Sequence, residues 1–166
     1  TAGVLIGKRR NGRYIVADVI NKRLSSSEGR DIIKMTARTD RAKYGRVVQR
    51  LPQDPGQAGK DQAQSFMKLL AGFIVKVIQE SGDKVTRAEP FSAQWLGLPG
   101  MDKGNVDVLE APWNEEYFNQ LESFPESKFK DMVDGSSSAF NELENGATYT
   151  APSSSNLGKS SYWKGK

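Results

Sequence analysis

The feature that most constrains the fold of this chain is a strand-like run that leads through a glycine-rich turn into a helix-like segment. The apolar run 47–51 precedes the turn 54–60, and an amphipathic helix separates this turn from the β-branched run 73–78. Upstream, the β-rich runs 4–6 and 14–19 flank a basic turn containing Asn-Gly, which predicts an antiparallel hairpin. A hairpin followed by alternating helices and strands predicts an α/β fold, with a mixed sheet covered by helices on both faces.

Local signals place the remaining elements. A capping box opens a helix over about residues 26–39. The segment 82–96 is predicted to be a helix that breaks near Pro90, because proline disfavours helical geometry in the residue before it. The other predicted elements are a strand at 106–109 and helices at 113–122 and 131–143.

The composition narrows the possible chemistry. The chain has no cysteine and no histidine, which excludes disulfides, thiol nucleophiles, Ser-His and Cys-His catalysis and nearly every zinc site. Carboxylates and hydroxyls remain, and carboxylate oxygens suit hard cations such as Mg²⁺ or Mn²⁺. The net charge of +4 is compatible with a polyanionic partner and equally with a mildly basic surface.

The chain is expected to form one domain over residues 1–145, followed by a flexible tail at 146–166 that is rich in Ser, Gly and Lys.

No apolar run reaches the roughly 20 residues that cross a bilayer, and no signal peptide opens the chain, so we expect a cytosolic protein without a membrane partner. The chain starts without Met and enters a strand at once, which predicts a fragment of a longer protein.

Acidic residues mark two places where this fold can carry out chemistry. Asp54 follows a strand on a turn that opens a helix, where α/β proteins place reactive groups, although such an Asp also serves as a turn former or cap. Asp131 and Asp134 project from one face of a helix start, where they also favour the helix dipole. Two carboxylate centres without His or Cys favour a two-metal phosphodiester hydrolase. Asp18 is a third candidate, on a strand where it can equally face solvent.

Several ordered motifs resemble the C-terminal nuclease domain of tailed-bacteriophage large terminase subunits, over nearly all of the chain up to about residue 144. The matching segments are YIVADV at 14–19, DPGQAGK at 54–60, SGDKVTRAEPFSAQ at 81–94, APWNEEYFNQLESFP at 111–125 and KDMVDGSSSAF at 130–140. The resemblance implies an RNase H-like fold, in which a mixed central sheet begins with an antiparallel hairpin and continues in parallel strands. It also implies a metal-dependent endonuclease that cuts concatemeric double-stranded viral DNA when packaging starts and ends.

The resemblance further implies the catalytic and metal-binding residues. The first acid of the family lies on a strand upstream of residue 1, so this chain is expected to lack it. The second corresponds to Asp54, and the third to Asp131 in preference to Asp134, which together would hold two Mg²⁺ or Mn²⁺ ions. Many relatives carry His-Asp before the third acid, where this chain has Phe129 and Lys130.

The same resemblance suggests the partners. Lys60, Lys84 and Arg87 are predicted to contact DNA phosphates, with solvated surface as the alternative, and the basic turn 8–13 is a further candidate. The implied partners are double-stranded DNA, the portal protein, the small terminase subunit and an N-terminal ATPase domain of the same polypeptide, in the host cytoplasm at the procapsid portal rather than in the mature virion. The glycine-rich turn lacks the G-x-x-x-x-G-K-[ST] order, so we predict no nucleotide binding here.

Two other functions remain open from the sequence. Another RNase H-like nuclease, of the junction resolvase type, would prefer branched DNA to linear duplex. A non-catalytic module that binds DNA or the portal would use the same acids only as structural caps.

Overall fold

The computed structural model describes residues 1–79, 82–97, 99–100 and 103–145, so the predicted tail at 146–166 lies outside the described residues. Strands and helices alternate in these ranges as the sequence predicts for an α/β fold. The strands are β1 (Ala2–Lys8), β2 (Tyr14–Asn21), β3 (Val48–Gln53), β4 (Ile74–Gln79) and β5 (Val106–Val108). The helices are α1 (Ser26–Tyr44), α2 (Gln57–Leu69), α3 (Lys84–Leu96), α4 (Asn114–Glu122) and α5 (Asp131–Asn145).

The first sheet contains the predicted hairpin. β1 pairs with β2 in antiparallel orientation, around a turn in which Gly12 takes a φ of +85°. The register shifts where Leu5 faces Asp18 and Ile6 faces Val16, which leaves one extra residue on β2 and forms a bulge. The short strand β5 then pairs in parallel with β2, giving the order β1-β2-β5.

The second sheet is the parallel pair β3 and β4, which α2 connects. Gln53 pairs with Gln79, so the carboxyl ends of both strands lie at one edge. Antiparallel strands are thus followed by parallel ones, which confirms the predicted mixed arrangement, with the strands in two hydrogen-bonded groups.

Helix α5 packs against both groups of strands. Gly135 lies so close to β1 that a Cβ at this position would be 3.0 Å from Cγ2 of Val4. Further along the helix, the carbonyl of Ser138 accepts a hydrogen bond from Arg50 on β3. The small residues early in α5 therefore allow it to approach β1 closely while its later turns contact β3.

The core lies between the first sheet and helices α3, α4 and α5. It contains Tyr14, Val16, Phe91, Met132 and Phe140, each 3% exposed or less, together with the fully buried Tyr117. The Tyr117 hydroxyl shares a 2.8 Å hydrogen bond with the Ser136 hydroxyl, and burial raises the pKa of Tyr117 above its ordinary value. This core fixes the position of α5, and with it the acidic residues at the start of that helix.

The predicted break at Pro90 is wrong, because α3 continues through this residue. An interior proline costs a helix about 3 kcal/mol, since it removes one hydrogen bond and crowds the preceding turn. Burial of Phe91, which is 2% exposed, returns about 1.5–3 kcal/mol. In addition, Asn141 donates a 3.1 Å hydrogen bond to the Arg87 carbonyl in the affected turn. Tertiary packing therefore outweighs the local preference.

The first helix is longer than predicted, ending at Tyr44 rather than at residue 39. Its capping box is present as expected, with Ser25 and Glu28 bonded reciprocally. The helix ends where Gly45 takes a φ of +76° and donates its backbone N–H to the Arg41 carbonyl. The stop signal was thus the glycine, which adopts this conformation at little cost.

Candidate active site

Asp54 follows β3 directly, at the edge where the two parallel strands end. Its side chain is exposed, and among the described residues it makes no hydrogen bond or ion pair. The N-cap of α2 is Gly56, at a φ of +92°, and no side chain caps this helix. The alternative in which Asp54 is a helix cap therefore fails, and its carboxylate oxygens remain available to a ligand.

The glycines of the turn explain how the chain reaches this geometry. Gly59, in the first turn of α2, packs directly over the Asp54 backbone. A Cβ at position 59 would lie 1.9 Å from the Asp54 carbonyl oxygen and 2.7 Å from the carbonyl carbon. Any larger residue would displace one of the two backbones, so Gly59 is required for the position of Asp54.

The second acidic centre is the first turn of α5, where Asp131 is exposed and Asp134 is partly buried. Met132 is fully buried, and its backbone N–H donates to the buried Gln120 side chain over 3.2 Å. Val133 is 4% exposed. The two buried residues between the acids hold this turn in place and direct both carboxylates away from the core.

The structure brings Asp134 together with two of the predicted DNA-binding residues. Both Lys84 and Arg87 form ion pairs with its carboxylate, the Arg87 contact being 3.3 Å between Nη2 and Oδ1. The side chain of Asp134 is 24% exposed, against 51% for Lys84. Its charge is thus already balanced by protein cations, whereas Asp131 has no ion pair among the described residues.

The N-terminus of α3 fixes these two cations. Asp83 is the N-cap of this helix and accepts hydrogen bonds from the Thr86 backbone and hydroxyl at 2.9 and 2.7 Å. These bonds lower the pKa of Asp83. Because the cap orients the first turn, Lys84 and Arg87 project toward α5.

Other predicted residues stay apart in the structure. Asp54 and Asp131 belong to no group of three or more acids that could hold a metal ion, since the described part of the chain has no such group. Lys60 is exposed in the first turn of α2, without an ion pair to any described residue. Asp18 accepts a 3.0 Å hydrogen bond from the Val19 backbone, away from both acidic centres along the chain.

Most cations of the basic hairpin turn are engaged in ion pairs within the protein. Arg9 and Arg13 both pair with Asp107 on β5, the Arg9 contact measuring 2.7 Å, and Lys8 pairs with Glu144 at 2.9 Å. The guanidinium of Arg13 lowers the pKa of Asp107. These pairs tie the hairpin to β5 and α5, so a DNA-binding role for this turn is not favoured.

Sequence reasoning missed Asp40, which is 7% exposed in α1. Burial raises the pKa of its carboxyl, and the nearby Asp18 raises it further while Lys43 lowers it. The spacing of Ile33, Ala37 and Asp40 places all three on one face of the helix. This spacing could have predicted from the sequence that Asp40 is buried.

No helix in the described ranges is long and apolar enough to cross a membrane. A family model described as "Terminase RNaseH-like domain" matches residues 1–143. No curated protein and no solved structure matches the chain.

Proposed function

Because the chain belongs to the terminase RNaseH-like domain family, and is therefore a terminase nuclease domain, we propose that it cuts viral DNA for genome packaging in a metal-dependent reaction. The proposed substrate is concatemeric double-stranded DNA, cut when packaging begins and when it ends. The observation that carries this proposal is the exposed Asp54 carboxylate, held by Gly59 at the edge of the parallel strands in a chain that matches the family over residues 1–143.

Asp54 and Asp131 would hold two Mg²⁺ or Mn²⁺ ions, with Asp134 assisting. The donor set fits such ions, since both carboxylates are exposed, make no ion pair among the described residues and offer hard oxygen ligands. Divalent ions in such a site activate water and stabilise the leaving oxygen of a phosphodiester. Lys84 and Arg87 hold Asp134 in place, and near the acids they reduce the repulsion between carboxylates and a DNA phosphate.

We further propose that the remaining acid of the site, the first acid of the family, comes from a strand preceding Thr1. Among the described strands, β1 pairs only with β2, and β3 pairs only with β4. One long side of β1 and one long side of β3 therefore have no partner strand among the described residues. Helix α5 contacts β1 through Gly135 and β3 through Ser138, so both strands lie against the same helix. A strand between them would complete a continuous mixed sheet and carry its acid next to Asp54.

The remaining proposals concern the assembly. The domain would act beside an N-terminal ATPase domain of the same polypeptide, with the small terminase subunit and the portal protein as partners. Its place of action would be the procapsid portal in the host cytoplasm. Phosphate contacts position DNA without reading its sequence, so cutting would show little sequence preference.

The test is cleavage of supercoiled plasmid in Mn²⁺ or Mg²⁺, with residues 1–166 and with a polypeptide extended upstream of Thr1. We expect nicking and linearisation that require the metal and disappear in Asp54→Ala and Asp131→Ala variants. Glu110→Ala, at an exposed position outside both acidic centres, is the control and should cut like the parent. Unchanged cutting by both Asp variants would refute the nuclease site, and a preference for four-way junctions over linear duplex would indicate a resolvase instead.

A further inference from the structure

Several cations of the described residues are engaged in ion pairs, whereas a row of cations on helix α1 is not. Ion pairs engage cations of the hairpin, β4 and α3, namely Lys8, Arg9, Arg13, Lys76, Lys84 and Arg87. By contrast, α1 carries Arg30, Lys34, Arg38 and Arg41, and none of these forms an ion pair with a described residue. The charge of these four side chains therefore remains available to a polyanion.

These four cations, here called the basic stripe, lie on one face of the helix. Their spacing of four, four and three residues keeps them within about one quarter of the helical circumference. From Arg30 to Arg41 the stripe is about 16 Å long at 1.5 Å per residue. Duplex DNA carries about nine phosphate charges over this length of its axis. Asp31 borders the stripe, and its charge offsets only part of the positive charge.

Two residues of the stripe are held in place by neighbouring elements. Arg30 donates a 2.8 Å hydrogen bond to the Ser65 hydroxyl on α2 and lies 5.5 Å from the ring centre of Phe66. Arg41 donates to the Gly72 carbonyl over 2.9 Å and lies 5.6 Å from the ring centre of Phe73. Because these contacts order both side chains in advance, binding costs little further side-chain entropy. The contacts are to uncharged groups, so both guanidinium groups keep their positive charge.

The stripe is connected to the Asp54 turn through α2. Ser65 lies eight residues after Gln57, the first residue of α2, which is about 12 Å along this helix. Arg30 touches α2 at that point, and Arg41 touches the chain just beyond the end of α2. Since α2 is about 18 Å long, the contacts of the stripe lie about 12–20 Å from the turn along this helix, within the 34 Å of one turn of duplex.

We propose that the basic stripe of α1 binds the phosphate backbone of duplex DNA beside the cleavage site. This inference rests on the proposed function for the identity of the polyanion, and it adds a surface separate from Lys60, Lys84 and Arg87. The stripe binds without sequence preference and holds the duplex while the acids act on one phosphodiester.

The experiment measures binding of a fluorescein-labelled 30-base-pair duplex by fluorescence anisotropy over a range of salt concentrations, in EDTA so that no cleavage occurs. The test variant is Lys34→Gln/Arg38→Gln, because these two side chains make no hydrogen bond or ion pair with a described residue. The matched control is Arg10→Gln/Lys103→Gln, which removes the same charge from two exposed residues. Arg10 lies in the hairpin turn, at the opposite end of β2 from α1.

We expect the salt dependence, the slope of log K against log salt, to become shallower by about 1.8 in the test variant. That change corresponds to roughly 60-fold weaker binding at 0.1 M salt, while the control keeps the parent slope. Equal losses in both variants, an unchanged slope in the test variant, or no duplex binding by the parent would each overturn the proposal. The two proposals fail in different assays. Cleavage that persists in Asp54→Ala would refute the nuclease site, whereas an unchanged salt slope in Lys34→Gln/Arg38→Gln would refute the stripe.

Discussion

Replacing Gly59 by alanine tests whether the close contact between α2 and the Asp54 backbone holds the candidate site in place. In an ordinary helix this change would stabilise the protein by about 1 kcal/mol, because alanine has the higher helix propensity. Here the new methyl group would lie 1.9 Å from the Asp54 carbonyl oxygen. Ordinary contact between such atoms needs about 3.5 Å, so one backbone must move by more than 1 Å.

The cost of that movement exceeds the gain in propensity. Overpacking of this kind costs about 1–3 kcal/mol when side chains can adjust, and here two backbones meet, so we take the upper end of that range. The net expectation is a loss of about 2 kcal/mol in the free energy of unfolding. For a domain of this size the midpoint of thermal unfolding would fall by roughly 4–8 °C.

Gly29 offers a matched control, because it also lies early in a helix and its added Cβ would meet only the Thr1 hydroxyl, at 3.5 Å. Gly29→Ala should therefore raise the unfolding free energy by about 0.5–1 kcal/mol. Thermal and urea unfolding followed by circular dichroism would measure both variants. Equal or greater stability of Gly59→Ala relative to the parent would refute the close contact, and with it the reason given for the position of Asp54.

Three further variants test separate parts of the structure. Asp40→Asn should stabilise the protein at neutral pH, by about 1.4 kcal/mol for each unit by which burial and Asp18 raise the Asp40 pKa. In urea titrations that gain should shrink as the pH falls through the raised pKa, since the native carboxyl is then protonated, and a gain independent of pH would contradict it. Asp134→Asn should reduce plasmid cleavage less than Asp131→Asn in initial-rate assays, because two cations already occupy the Asp134 carboxylate; the reverse order would reassign the main ligand. Tyr117→Phe should cost about 0.5–1.5 kcal/mol in urea unfolding, through loss of its bond to the Ser136 hydroxyl, and an unchanged midpoint would show that this bond is not stabilising.

The parts of the fold that depend on local signals could be predicted from the sequence. The Asn-Gly turn specified the hairpin, the reciprocal bonds of Ser25 and Glu28 specified the start of α1, and the run before Asp54 specified β3. Each of these signals involves residues close together in the chain, so no knowledge of packing was needed.

Other features depend on residues that are distant in sequence. Pro90 signals a break, but burial of Phe91 keeps the helix intact. The contacts of Asp134 with Lys84 and Arg87 join residues 50 and 47 positions apart, and no local pattern indicates them. For this reason the sequence identified the acids and cations as separate candidates, whereas their pairing required the three-dimensional arrangement.

The close packing of α5 on both groups of strands has a consequence for the order of folding. Lys8 and Glu144 meet across 136 positions of the chain, and Arg50 meets Ser138 across 88. Such distant contacts form slowly, because a long loop must close before they contribute any stability. Gly135 and the serines after it also make the isolated helix weak, so α5 should become ordered only on strands that are already assembled. The acids at its start would then take up their positions late in folding, after Asp54 and its turn.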